Sequence, residues 1–113
     1  MMLYRYLKKL WRKFRRKDSI EKVEWVESRQ EIPEKIGDAL YIVGCTNSKW
    51  AVVNCPCRCG EKIDINLMNS HSPQWRLKYQ SGKITLFPSI WITEDKCGSH
   101  FWIKENNIIW VED

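Results

Sequence analysis

Beyond residue 17, the apolar positions of this chain fall in short runs of β-branched and aromatic residues separated by turn formers, with no helical stripe among them. Such runs predict strands, here over 23–27, 40–43, 50–54, 62–67, 75–79, 83–87, 100–104 and 108–111. Residues 46–49, Ser81 with Gly82, and Asn106 with Asn107 supply turn chemistry between some of them. Adjacent hairpins in a meander or small barrel are the economical arrangement. The first seventeen residues follow another period. Leu3, Leu7, Leu10, Trp11 and Phe14 are spaced four, three, one and three apart, which gathers them on one face of a helix. The opposite face is almost entirely Lys and Arg, and Asp18 and Ser19 end the pattern. The expected organisation is a basic amphipathic helical tail over 1–17 and a β domain over 18–113.

A length of 113 residues suits one domain. Apolar residues make up 43% of the chain and include seven tryptophans, enough for a core, although a domain this small buries a modest fraction of its surface and gains from a metal staple. The net charge of +5 is unevenly placed. Arg5, Lys8, Lys9, Arg12, Lys13, Arg15, Arg16 and Lys17 stand in the tail without an acid, leaving 11 of the 19 basic residues and all 14 acids to the body. The tail therefore suits an anionic membrane surface or an acidic partner, while the acidic body disfavours nucleic acid. No apolar run reaches the roughly 18 residues of a membrane span, and basic residues interrupt any secretory signal. The expected location is cytoplasmic, with the tail suited to the membrane periphery.

In a reducing compartment the five cysteines stay available to a metal. Cys55, Cys57 and Cys59 crowd into CPCRCG, and Cys97 follows in CGSH. Zinc takes four tetrahedral sulfur or nitrogen ligands, and Pro56 and Gly60 provide turns that let close thiolates converge. These four make a complete set, with His100 the alternative ligand. The competing reading is a packed thiol stripe on one strand face. A closed four-thiolate site is structural and supplies folding free energy on the order of 10 kcal/mol. Cys45, at the end of an apolar strand, reads as a small buried hydrophobe. The fold class expected is thus mostly β, a small zinc-stapled antiparallel domain with an N-terminal amphipathic helix.

CPCRCG, then Ser72-Pro73-Gln74-Trp75, Thr85-Leu86-Phe87-Pro88-Ser89-Ile90, Cys97-Gly98-Ser99-His100-Phe101-Trp102-Ile103 and Ile109-Trp110, occur in this order. The series resembles a family of small bacterial proteins of unassigned function with the motifs CPCGCG, PxW, TLxPS and CxSHFxI, over roughly residues 39–111. Arg58 stands where that family has Gly, and the basic tail lies outside the shared region. Members sit in ubiquitin-like conjugation operons beside ubiquitin-like proteins and activating-type and conjugating-type enzymes. The resemblance implies a protein that processes or removes a ubiquitin-like protein, as an atypical serine peptidase. The alternative is a non-catalytic zinc module that binds a ubiquitin-like protein or its activating or conjugating enzymes.

A peptidase without a catalytic metal needs a nucleophile, a base within hydrogen-bond reach and an oxyanion pocket. The chain has two histidines, His71 and His100, and His100 sits in the motif beside Cys97. Ser99 is its neighbour, but adjacent side chains on a strand point to opposite faces. Ser89, from another segment, can approach across a sheet. The expected catalytic pair is Ser89 and His100, with Ser99 the alternative nucleophile and no acid assigned. Against this, Ser89 after Pro88 suits a turn serine, and His100 suits a group donating to a thiolate. Trp75, Trp91, Trp102 and Trp110 are candidates for a peptide groove, about two of the four being expected inside at strand spacing.

Overall fold

The computed structural model describes residues 16–70 and 72–112. The helical tail expected over 1–17 lies, apart from Arg16 and Lys17, outside the described residues, as does His71.

The strands are β1 (Lys22–Val26), β2 (Ala39–Val43), β3 (Trp50–Asn54), β4 (Lys62–Asn66), β5 (Arg76–Gln80), β6 (Lys83–Trp91), β7 (His100–Lys104) and β8 (Asn107–Trp110), with one 3₁₀ turn at Arg29–Glu31. They form two four-stranded sheets in the sequential orders β1-β2-β3-β4 and β5-β6-β7-β8. The inner faces share one core: Leu40, Ile42, Ala51, Val53, Ile63 and Ile65 from the first sheet meet Ile84, Leu86, Ile90, Phe101, Ile103 and Ile108 from the second. The period-two alternation of each strand puts these side chains on one face. The product is a sandwich of two four-stranded sheets, the second an antiparallel meander, rather than a barrel.

Two hairpins close through tight turns. Ser81 and Gly82 take φ of 53° and 78°, and Glu105 and Asn106 take 48° and 67°. Positive φ at both central residues is the type I′ geometry, whose twist matches that of the flanking strands. The second turn sits one residue earlier than the sequence predicts, because Asn106 exchanges hydrogen bonds with Ile84 across the sheet and Asn107 opens β8.

One pairing departs from the antiparallel expectation. β1 runs parallel to β2, with Lys22 opposite Ala39 and Val26 opposite Val43. Parallel neighbours need a crossover of about a dozen residues, and residues 27–38 provide it. They lay Ile32 and Ile36 over Tyr41, Val43 and Val52 on the outer face of the sheet. Every residue of β2 is therefore buried, as both-sided coverage of a strand requires. Glu31 fastens the start of this crossover by accepting hydrogen bonds from the backbone of Glu27 and Ser28 at 2.7 and 2.9 Å.

Residues 16–20 strap the two sheets together. Lys17 N donates to Pro56 O at 2.8 Å beside the first sheet, and its Nζ pairs with Asp38. On the second sheet, Ile108 N donates to Asp18 O, Ile20 N to Asn106 O, and Trp110 Nε1 to Lys17 O. The Arg16 guanidinium lies 4.2 Å from the Trp110 ring centroid and bonds Glu112.

Candidate active site and cysteine centre

The sequence predicts a sixth strand over 83–87, and Pro88, which follows, has no N–H for a ladder. Instead β6 continues to Trp91 by bulging. Leu86 pairs with Ile103 and the next registered pair is Ile90 with Phe101, so three residues of β6 stand opposite one of β7. Pro88 sits inside this interruption, where no ladder donor is missed. Three residues against one also preserves the alternation. Leu86 and Ile90 remain in the core, while Phe87, Ser89 and Trp91 lie on the other, outer face.

Trp91 is registered opposite His100, so Ser89 lies diagonal to His100 on the same outer face. Ser89 Oγ is 2.8 Å from His100 Nε2. In the tautomer that carries its proton on Nδ1, the serine hydroxyl donates to Nε2. The imidazole stacks on the indole of Trp91, with ring centroids 4.7 Å apart and planes 7° from parallel. Nδ1 is buried and meets no hydrogen-bond partner among the described residues, so no carboxylate there completes a triad. Trp75 Nε1 donates to Ser89 O at 3.2 Å, and Val111 N donates to His100 O, which ties both backbones down.

Ser99 takes the opposite face. It is buried, and Cys97 Sγ lies 3.2 Å from its Oγ, on the cysteine side. The strand-alternation argument that separates Ser99 from His100 thus agrees with the coordinates. Among the tryptophans, Trp75 and Trp110 pack against the core, whereas Trp91 is 60% exposed and Trp102 is half-buried beside Lys104, whose Nζ is 5.0 Å from its ring centroid. The stacking of Trp91 on His100 was not legible in the sequence; its signal is the cross-strand register, which requires knowing the bulge.

The cysteines gather where the two sheets end. Cys55 follows β3, Cys57 and Cys59 lie in the β3–β4 connection, and Cys97 lies in the β6–β7 connection. The four Sγ atoms lie within 4.8 Å of one another, and His100 is not among the grouped ligands. Cys55 Sγ is 3.3 Å from Cys57 Sγ and 3.7 Å from Cys97 Sγ. A tetrahedron of sulfurs at a metal–sulfur distance of about 2.3 Å has edges of about 3.8 Å. These spacings fit a shared metal ion.

The thiol chemistry points the same way. Burial pushes the Cys55 thiol far above its ordinary range. Burial also opposes ionisation of Cys57, but hydrogen bonds with Ser99, Cys55 and Cys59 outweigh it and bring the thiol below its ordinary value. Cys59 is raised, by burial first. Bringing all four sulfurs to the thiolate form at such close quarters takes a cation between them. Four clustered cysteines able to hold a metal ion join the first sheet to the second beside the first residue of β7.

Two details of this region concern single residues. Arg58 has φ of 67°, the left-handed region that favours glycine, which accounts for the glycine expected there by motif resemblance. Cys45 is a correction to the sequence reading. It is exposed in the turn after β2, since the strand ends at Val43 and Gly44 redirects the chain, and neighbouring Glu27 holds its thiol above the ordinary range.

Among the described residues, no helix is long and apolar enough to cross a membrane. No curated protein and no solved structure matches the chain. A family model does, and it covers the crossover, β2 to β8, the cysteine set and the Ser89–His100 contact. Over residues 27–111 the chain matches the bacterial ubiquitination-like system serine protease (BubE) model, and it belongs to that family.

Proposed function

We propose that this protein is a serine peptidase that uses a Ser89–His100 dyad on a ubiquitin-like protein, maturing its precursor or releasing it from conjugates. The carrying observation is the 2.8 Å contact between Ser89 Oγ and His100 Nε2 on the outer face of the second sheet. Ser89 Oγ attacks the scissile carbonyl carbon as its proton passes to Nε2. The tetrahedral intermediate then collapses, the C–N bond breaks, and the imidazolium returns the proton to the leaving amine. Water, activated by the same nitrogen, hydrolyses the acyl-serine. With no carboxylate at Nδ1 among the described residues, the stacked Trp91 face orients the ring and stabilises its positive charge, a contact worth about 0.5–2 kcal/mol.

Zinc is the metal this reading assigns to Cys55, Cys57, Cys59 and Cys97, because four thiolates in tetrahedral spacing suit it. Such an ion is coordinatively filled and serves as a staple. It fixes the connection of residues 92–99, and through it the start of β7 and His100.

The test is cleavage of a ubiquitin-like precursor together with labelling by a fluorophosphonate. Wild-type protein should be labelled at Ser89 and should cleave, while Ser89→Ala does neither and keeps its metal. A second reading, a non-catalytic module that binds the ubiquitin-like protein, is favoured only by the lack of a partner for Nδ1 among the described residues. Absence of both labelling and cleavage in metal-replete wild-type protein would replace the first reading with the second.

A further inference from the structure

The face that carries the dyad is also the basic face of the body. No Asp or Glu occurs between Asp64 and Glu94. Over that stretch and the adjoining β7, Arg76, Lys78, Lys83 and Lys104 are exposed. Strand register puts them on one side of the sheet: Arg76 opposes Phe87, Lys78 opposes Thr85, and Gln80 opposes Lys83. Lys78, Lys83 and Lys104 line a shallow recess together with Thr85, Phe87 and Glu105. No carboxylate among the described residues forms an ion pair with any of the four cations. Phe87, 38% exposed, forms one wall of the recess and is two residues from Ser89 on the same strand. The acids Glu24, Glu27, Glu31 and Glu34 belong instead to β1 and the crossover of the other sheet, and Glu21 immediately precedes β1.

Four cations with no ion-pair partner among the described residues, against the single carboxylate of Glu105, surround an exposed aromatic ring close to the nucleophile and make a directional surface. A polypeptide that reaches Ser89 along the Phe87 side of β6 passes this surface, where charge complementarity favours acidic residues. We propose that the outer face of β5–β8 docks an acidic segment of the ubiquitin-like substrate, with its carboxylates against Lys78, Lys83 and Lys104 and an apolar side chain on Phe87. This rests on the peptidase reading for the identity of the partner, though not for the existence of the surface.

Binding is measured with full-length protein carrying Ser89→Ala, so that the substrate is not consumed, and the ubiquitin-like protein of the same bacterial system as probe, at 50 and 300 mM salt. Adding Lys78→Glu, Lys83→Glu and Lys104→Glu should weaken binding about tenfold or more at low salt. The unreversed protein should lose affinity as salt rises. The corresponding Lys→Gln triple variant, which guards against misfolding from charge reversal, should fall between the two with an unchanged melting temperature. In the Ser89 background, fluorophosphonate labelling should be the same with and without the reversals. Affinity indifferent to both salt and reversal overturns the docking surface. Reversal that abolishes binding to a 30-base-pair DNA duplex but spares the ubiquitin-like protein also overturns it, in favour of a nucleic-acid face. Reversal that weakens binding to the ubiquitin-like protein when wild-type protein takes no fluorophosphonate supports the surface and removes the peptidase reading, so the two fail separately.

Discussion

Ser89 and His100 meet diagonally across β6 and β7, with Oγ 2.8 Å from Nε2, because three residues of β6 stand opposite one of β7. A regular ladder through Pro88 would leave the proline facing a ladder acceptor and would shift which β6 residue reaches the imidazole. The bulge therefore serves both strand pairing and the site. If the dyad carries the chemistry, Ser89→Ala and His100→Ala should each lower cleavage of the ubiquitin-like precursor by about 10³-fold or more. Both variants should keep their metal and melt within a few degrees of wild type, since neither side chain belongs to the core. Loss of metal from His100→Ala would show that the imidazole is a ligand.

Trp91 is the most exposed of the large apolar residues that the structure exposes, yet its ring lies flat on His100. Trp91→Ala should reduce kcat/KM by between about 2- and 30-fold, the equivalent of a cation–π contact. Trp91→Phe should recover part of the loss, and neither change should alter thermal stability appreciably. An unaffected kcat/KM in Trp91→Ala would leave the stacking without a catalytic part.

The cysteine centre links the β3–β4 and β6–β7 connections, so its loss should be felt in both sheets. Cys55→Ser, Cys57→Ser, Cys59→Ser and Cys97→Ser should each lose metal and destabilise the fold by several kcal/mol. Cys45→Ser, at an exposed turn, should stay within about 0.5 kcal/mol of wild type. Because protons compete with the metal for thiolates, a fixed chelator concentration should strip it faster as pH falls. Elemental analysis alongside thermal melts reads both outcomes, and metal-free protein with an unchanged melt would contradict the staple.

Arg58 occupies left-handed backbone within the metal-binding loop. A β-branched residue tolerates that region least, so Arg58→Val should destabilise by about 1–2 kcal/mol. Arg58→Gly should be near neutral, relief of backbone strain offsetting the greater freedom glycine has when unfolded. Equal melting temperatures for the two variants would remove strain as the explanation.

Phe101 is fully buried at the centre of the shared core, and its ring contacts that of Trp110 at 5.5 Å. Truncation to Ala should cost about 3–5 kcal/mol. Denaturant melts of the metal-loaded protein measure it, and a loss under about 1 kcal/mol would mean that the two sheets do not share a single core.

Much of this architecture was legible in residue chemistry. The runs around Ile42, Val52, Ile84 and Phe101 lie in strands close to their expected bounds, because β-branched and aromatic residues separated by turn formers have few other places to go. The spacing of Cys55, Cys57 and Cys59 with Cys97 anticipated a common cluster, and strand alternation separated Ser99 from His100 before any coordinates did. What escaped depends on pairing between distant segments. Parallel alignment of β1 with β2 follows from where the crossover can bury Ile32 and Ile36, and that is decided only once Tyr41 and Val52 present a face to cover. The bulge at Pro88, the stacking of Trp91 on His100 and the exposure of Cys45 are likewise set by register and by where a neighbouring strand ends. Local sequence determines which residues prefer to be extended, to turn or to bind a metal; which of them touch is a property of the packed sheets, since a shift of one residue in register exchanges the buried face for the exposed one.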